Sequence, residues 1–365
     1  MNDTSNDSPA HQLEGLVLKS GWTIGQKRTK KPGMTGGTFC VGYTATRGGE
    51  EAFVKAIDFV GALSQPDPFA ALTRLSQEAE WEKSILEHCV EKKMSRIVRL
   101  LDHELVYPAG SEGDATKRVS VLVTEKGEGD LREKLDLIGS PTFSWRIYVL
   151  RDVGLALDQL HSSAIAHLDV KPSNVISIEA SGSVNGATHA VVPSMKLTDL
   201  ARVVRRGSVG PWDSVPWPGD GRYMPPEKWY GFHLEEWRDE RVASDAFMLG
   251  SLFVFLFLGL SMGSLYQHYL PEPFMPDRWA GGFDGELLDV LVRAQSQALA
   301  HDIAPALPET LQPELLAIVR ELTHPDPRVR GDPKARRAGQ VGVDRYHQRL
   351  LTLAKRLELL ERHPH

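Results

Sequence analysis

The chain has 365 residues and a formal net charge of −6, from 42 Lys and Arg against 48 Asp and Glu. With 41% hydrophobic and 25% charged residues, it has the makeup of a globular protein with a sizeable core, and its length suits two domains or lobes. These values exclude a mainly disordered chain, a collagen-like repeat and a disulfide-stapled miniprotein. The slightly acidic balance gives no reason to expect nucleic acid or an anionic membrane as the main partner.

The two cysteines, Cys40 and Cys89, form no CxxC pair. Zinc and dithiol redox chemistry therefore have little support, and the expected location is a reducing, cytoplasmic interior. Positions 1–12 are polar with no apolar core, so they do not read as a secretory signal. Residues 1–18 are expected to be a disordered tail.

From residue 19 to about 130 the pattern is strand-rich. Arg47-Gly48-Gly49-Glu50 is a turn signal between apolar runs at 39–45 and 52–59, which predicts a hairpin. Pro66 and Pro68 open a helix over Asp67 to Lys92. Ile97–Leu101 and Val119–Val123 read as strands. Beyond Leu131 the pattern turns helical: Phe143, Ile147, Leu150, Val153, Leu157 and Leu160 recur at three- and four-residue steps. Residues 179–194, rich in Ser, Gly, Ala and Val, read as an exposed hairpin tip or loop.

Ala246 to His268 contains no Asp, Glu, Lys or Arg, and its length is close to the ~20 residues of a membrane span. Gly250, Ser251, Gly259, Ser261, Gly263 and Ser264 dilute it, and its cationic flanks are weak. No membrane span is expected; the run reads as a buried central helix. At the C-terminus Tyr346, Leu350, Leu353, Leu357 and Leu360 form a short heptad stripe on an amphipathic helix expected over 341–365. It suits docking on its own domain, with a partner as the other possible occupant.

The most informative stretch is His167-Leu168-Asp169-Val170-Lys171-Pro172-Ser173-Asn174. Asp169, Lys171 and Asn174 supply a base, a cation and an oxygen ligand in one short loop. Phosphoryl transfer needs those parts: a group to orient and deprotonate a hydroxyl, a charge to offset the moving phosphoryl, and a ligand for Mg²⁺. Asp199, in Lys196-Leu197-Thr198-Asp199-Leu200-Ala201-Arg202, is a single carboxylate after a short strand, and Mg²⁺ is commonly held by one or two carboxylates with phosphate oxygens and waters. Lys55 sits in the apolar strand Ala52-Phe53-Val54-Lys55-Ala56-Ile57. A lysine there needs an acidic partner or a bound anion, since an unpaired buried charge is expensive.

Over about residues 20 to 340 the chain resembles the eukaryotic-type (Hanks-type) serine/threonine protein kinases. His167-Leu168-Asp169 with Lys171 and Asn174 is similar to the catalytic loop, and Asp199-Leu200-Ala201 to the magnesium-binding DFG motif. Lys55 is similar to the lysine that holds the α- and β-phosphates. Tyr223-Met224-Pro225-Pro226-Glu227 resembles the end of the activation segment, and Ser244-Asp245 followed by Gly250 the start of the central helix. Asp326-Pro327-Arg328-Val329-Arg330 resembles the segment whose arginine pairs with the APE glutamate, which implies a Glu227–Arg330 bridge.

The resemblance implies an α+β, bilobal protein-kinase-like fold, with a small β-rich N-lobe over 19–127 and a larger, mainly α-helical C-lobe over 128–340. It implies ATP and Mg²⁺ as cofactors and a protein substrate phosphorylated on Ser or Thr. Asp169 and Lys171 would be catalytic, and Asn174 and Asp199 would hold the metal. A first-lobe glutamate would hold Lys55; Glu82 fits the family spacing better than Glu78, one turn earlier. In Leu122-Val123-Thr124-Glu125-Lys126-Gly127, Thr124 would be the gatekeeper, and Glu125 and Gly127 would face the adenine edge. Gly37 and Phe39 would belong to the glycine-rich loop over the phosphates.

Several positions depart from the family pattern. Thr35 and Cys40 replace two signature glycines, which would weaken the approach of backbone to phosphate. Phe53 occupies a small-residue position facing the adenine and would narrow the pocket. Leu168 replaces the arginine of HRD, which removes the usual partner of an activation-segment phosphate. Asp220 replaces the threonine before the APE region, and Trp212, Trp217 and three prolines suggest a rigid segment. The leading function is a Ser/Thr kinase. A catalytically weak kinase-like scaffold follows from the altered glycine loop and Phe53. A small-molecule phosphotransferase is the third reading, against which Glu227 and Arg330 argue.

Overall fold

The structure, a computed structural model, describes residues 8–28, 39–114, 117–178 and 194–362. It divides into two compact units, one of residues up to 128 with Thr198–Ala201, the other of 129–197 with 202–365. An antiparallel sheet in the first and a mainly helical second unit give the α+β, bilobal kinase-like fold class that the motifs imply.

The first unit holds a five-stranded sheet in the order β1-β2-β3-β5-β4, with β1 Thr23–Lys27, β2 Cys40–Arg47, β3 Glu50–Ile57, β4 Leu100–Val106 and β5 Val119–Glu125. All pairings are antiparallel, and the expected hairpin joins β2 to β3 with Arg47 opposite Glu50. Side chains alternate along β3: Ala52, Val54 and Ala56 are buried with Tyr43, Ala45 and Val121, while Phe53 and Lys55 point to the opposite face. The first face is covered by Ala10, Leu13, Leu18 and Trp22. Residues 8–18, expected within a disordered tail, are therefore ordered. Leu13 is fully buried, and the Tyr43 hydroxyl donates to the Ala10 carbonyl at 2.7 Å. A sheet with an apolar outer face needs a cover, and this segment supplies it despite its polar composition.

Helix α1 (Phe59–Leu63) and helix α2 (Pro68–Glu91) follow β3. Asp67 caps α2 through the Ala70 N–H, with Pro68 in its first turn, as the sequence signal requires. The strand expected at Ile97–Leu101 begins only at Leu100. Ile97, which makes a β-bridge, and Val98 are buried core residues ahead of it, outside the strand itself.

In the second unit, α3 (Leu131–Ile138) starts at a capping box between Asp130 and Glu133, and α4 (Phe143–Ser162) at Thr142. The short pair β6 (Ile165–Ala166) and β9 (Val204–Arg205), and the pair β7 (Val175–Ile178) and β8 (Ser194–Leu197), frame the loops that follow α4. The loop expected at 179–194 lies outside the described residues except for Ser194. Helix α5 (Pro226–Trp229) leads to α6 (Ala243–Leu258), α7 (Met262–Tyr269), α8 (Gly285–Ala298), α9 (Gln312–Leu322), α10 (Pro333–Arg336) and α11 (Val343–Arg362).

The helical stretch Arg238–Leu258 is long and apolar enough to cross a membrane, but 78% of its most apolar window is buried inside the protein. Gly250 explains how α6 packs so deeply: a Cβ there would press on Leu322 and Thr323 at the end of α9.

The C-terminal stripe, offered above to a possible partner, is already occupied. Tyr346, Leu350, Leu353 and Leu357 are buried as α11 packs along α4, tied there by Tyr148 to Glu358 at 2.8 Å and His347 to Asp158 at 3.4 Å. Only its end, at Leu360, is exposed. Truncating Leu350 to Ala should cost about 2–5 kcal/mol, the usual range for a buried leucine. The midpoint of urea unfolding checks this; an unchanged midpoint would mean that α11 adds little to the core.

Candidate active site

The sequence-selected residues form two charged clusters, one in each unit. In the first, Lys55 projects from β3 on the face opposite the core, in register with Gly42 and Leu122. Its Nζ lies 2.9 and 2.8 Å from the two Glu82 carboxylate oxygens and 3.1 Å from Asp199 Oδ1. Glu82 comes from the buried face of α2 with Ala79, Ile85 and Leu86. Of the two glutamates considered for this role, Glu82 is the one that meets Lys55; Glu78 pairs with Arg74 at 3.7 Å. Asp199 adopts a left-handed backbone (φ 62°), a conformation a non-glycine residue takes only when its surroundings impose it.

Burial alone would push the Lys55 ammonium down, but the Asp199 and Glu82 carboxylates outweigh it and hold its pKa well above the ordinary lysine range. Burial, opposed by Lys55 and reinforced by Asp199, pushes the Glu82 carboxyl up. One ammonium between two carboxylates leaves an excess negative charge, which suits a further cation.

The second cluster is built on the loop after β6. Asp169, Lys171 and Asn174 are all buried. Asp169 Oδ2 accepts from Lys171 Nζ at 2.9 Å and Asn174 Nδ2 at 3.0 Å, and its Oδ1 accepts from the Asp220 N–H at 2.8 Å. Three donors therefore fix both oxygens of one carboxylate. The Asp220 carboxylate lies 3.8 Å from Lys171 and 2.7 Å from Arg222, so the lysine is shared between two acids.

The loop's shape comes from elsewhere. Asp245, fully buried at the start of α6, accepts from the His167 and Leu168 N–H groups at 2.8 Å each and from His161 Nε2 at 2.7 Å. This pins Leu168 in a left-handed backbone (φ 58°), and its side chain, standing where the family has arginine, is wholly buried. Asp152, buried on α4, accepts from the Met195 N–H at 2.9 Å and so fixes β8, the strand leading to Asp199. Sequence reasoning missed both roles for Asp152 and His161. The available signal was a charged or polar residue on an otherwise apolar helix face.

The segment between the two motifs is held by its own contacts. Arg202 donates to the Pro218 carbonyl at 2.7 Å and lies over the Trp212 ring at 5.8 Å. Gly219 lies so close to the Leu168 carbonyl that no Cβ could be accommodated. Arg330 meets Glu227 through two bonds of 2.8 and 2.6 Å, both side chains fully buried, which is the bridge the resemblance implied.

The residues expected to face a nucleotide vary in placement. Thr124 is buried in β5 opposite Phe53, and Gly127 follows the strand. The Glu125 N–H is committed to the Arg99 carbonyl at 3.0 Å. Phe39 packs into an apolar cluster with Ile57, Ala62, Ala71, Leu75 and Ala79. The Phe53 ring lies against Gly42, where a Cβ would sit 2.9 Å from Cε2. Gly37 lies outside the described residues.

Among the described residues no group of three or more His, Cys, Asp or Glu could hold a metal ion by itself. Asn174 Oδ1, which has a long 3.4 Å contact from Ser173, and the Asp199 carboxylate of the other unit are each hard oxygen donors of the kind Mg²⁺ takes.

No family model matches the chain. Among curated proteins it is 27% identical over 232 residues to the serine/threonine-protein kinase ArnS of Sulfolobus acidocaldarius, covering 61% of this chain and 35% of that one. It is 26% identical over 201 residues to the serine/threonine-protein kinase PknB of Mycobacterium leprae, covering 52% and 29%. It is 27% identical over 123 residues to the probable serine/threonine-protein kinase mps1 of Dictyostelium discoideum, covering 33% and 11%. The matched regions thus span about a third or less of these relatives' lengths.

Asp220 supplies a test of the second cluster. Its side-chain bond to Arg222 chiefly holds its carboxyl at about 2, against the opposing effect of burial. In the unfolded chain the group titrates near the ordinary value of about 3.9. A depressed folded pKa contributes stability that is full above the unfolded value and lost as pH falls through the folded one. Asp220→Asn should therefore be less stable than the native chain at neutral pH, and the gap should close between about pH 4 and pH 2. Urea unfolding of both proteins across that range checks it; a pH-independent gap would mean that the charge of Asp220 contributes nothing.

Proposed function

We propose that this chain, which its motifs, fold and relatives support as a member of the Hanks-type serine/threonine protein kinases, is an ATP- and Mg²⁺-dependent enzyme that phosphorylates Ser or Thr hydroxyls of a protein substrate. The observation that carries the reading is the buried Asp169–Lys171–Asn174 cluster, in which one carboxylate is aimed by three donors.

In this reading Asp169 orients the acceptor hydroxyl and takes its proton. Lys171, held between Asp169 and Asp220, offsets charge on the transferring phosphoryl. Lys55 holds the nucleotide phosphates, and Glu82 keeps it extended and charged. Asn174 and Asp199 would hold Mg²⁺, which when bound neutralises charge on the phosphates. Thr124, Glu125 and Gly127 would receive the adenine, with Gly37 and Phe39 in the loop over the phosphates. Lysine two residues after the catalytic aspartate supports Ser or Thr over Tyr as acceptor. A cytoplasmic location goes with this activity and with two cysteines that form no disulfide with each other.

Leu168 in place of an arginine, together with the Arg202–Pro218, Arg202–Trp212 and Gly219–Leu168 contacts, supports a segment held without phosphorylation. A kinase-like scaffold is the second reading, favoured by Phe53 lying across Gly42. The Glu227–Arg330 bridge argues against a small-molecule phosphotransferase.

Radiolabel transfer from ATP with Mg²⁺ to a generic basic acceptor protein tests the proposal. Asp169→Asn should lower the rate by about 10²–10⁴, the usual contribution of a positioned base. No transfer by the native chain would move the scaffold reading into first place.

A further inference from the structure

In the second unit, residues of α10 and α11 with Glu321 of α9 line a groove of about 600 Å³ that includes none of the residues assigned above. Its lining includes four cations, Lys334, Arg337, Arg345 and Arg349, and two carboxylates, Glu321 and Asp332. The carboxylates are engaged. Glu321 accepts from the Tyr346 hydroxyl at 3.0 Å and from Arg349 at 2.6 Å. Asp332, buried, caps α10 through the Lys334 and Ala335 N–H groups and lies 3.6 Å from Arg345 and 3.8 Å from Arg349. They hold two guanidinium groups in place along the floor. Lys334 and Arg337 are exposed and pair with no carboxylate among the described residues. Four cations against two carboxylates leave two positive charges in excess.

A second groove of about 470 Å³ adjoins it and shares Arg349 and Thr352. Its other lining is Pro313, Ala317 and Leu353 with Glu314, whose carboxylate is paired with Arg356 at 3.0 Å, so this end is largely apolar. The surface thus joins a basic groove with preset arginines to a largely apolar one through Arg349 and Thr352.

We propose that this surface is a docking site for an extended peptide bearing a phosphorylated Ser or Thr and an aliphatic residue nearby. Charge complementarity selects the occupant. A phosphoserine or phosphothreonine carries nearly two negative charges at neutral pH and matches the excess. Arginine forks recognise its oxygens through paired, charge-assisted bonds, and holding them beforehand reduces what binding must order. The apolar end takes the aliphatic side chain and sets register. The site does not depend on the kinase reading, because none of these residues belongs to the two charged clusters.

The test is fluorescence anisotropy of the full chain with labelled peptides that carry phosphoserine and leucine at varied spacing. Unphosphorylated twins, inorganic phosphate and phosphatidylserine vesicles serve as comparison probes. The best phosphopeptide should bind about tenfold or more tighter than its twin, and Lys334→Glu with Arg337→Glu should weaken it by about tenfold or more. Ala317→Glu, which blocks the apolar end and leaves the cations intact, should weaken the same peptide and erase the benefit of its leucine. Thermal melts matching the native chain show that both variants are folded. Equal binding of both twins, binding unaffected by the charge reversal, or capture of vesicles without the peptide would each overturn the proposal.

Discussion

The geometry of the loop that carries Asp169 depends on one buried carboxylate. Asp245 stands fully buried at the start of the most apolar helix in the chain, where a lone charge would be costly. It is tolerated because two consecutive backbone N–H groups and an imidazole converge on it, and those donors belong to the loop that carries Asp169 and the helix before it. The same bonds fix Leu168 in a left-handed conformation that leucine would not choose. The strain in the loop and the buried charge in the core are therefore two sides of one arrangement. An apolar helix supplies a rigid base, its single acid organises a loop, and the loop presents a second acid, Asp169, with both oxygens already spoken for.

Charge neutralisation follows a different rule in the two clusters. Around Lys55, one ammonium faces two carboxylates, and the cluster is left negative. Around Asp169, the lysine again stands between two acids, but Arg222 takes up much of the second one's charge from the solvent side. Glu227 and Arg330 form a closed pair, bidentate and dry, with further carbonyl contacts to Arg330 from Ala243, His324 and Pro325. Removing one member would strand the other, the circumstance in which a buried pair matters most to stability. That pair belongs to the framework; the two open clusters have the chemistry to receive ligands.

Much of this was legible in the sequence because phosphoryl transfer needs particular residue types at short spacing. Asp169, Lys171 and Asn174 lie within one loop, and Lys55 declared itself as the one charge in an apolar strand. The choice of Glu82 over Glu78 was also legible, from its better fit to the family spacing, and Glu82 is the one that meets Lys55. Less visible were the residues that act through backbone groups. Asp152, His161 and Asp245 are recognised only when the N–H groups they serve are in place. The N-terminal segment misled for a related reason: its polar composition hid three apolar residues, Ala10, Leu13 and Leu18, that complete the sheet's core. Val98 misled in the other direction, since burial outside a strand leaves the same apolar signature.

The central proposal is that the cluster of Lys55, Glu82 and Asp199 belongs to a metal-assisted nucleotide site. Calorimetric titration of ATP into the native chain, with and without Mg²⁺, tests it most directly, with Asp199→Asn as the comparison. The account predicts that Mg²⁺ tightens ATP binding to the native chain and has little effect on the variant. ATP binding that ignores Mg²⁺ in both proteins, or no binding at all by the native chain, would contradict it.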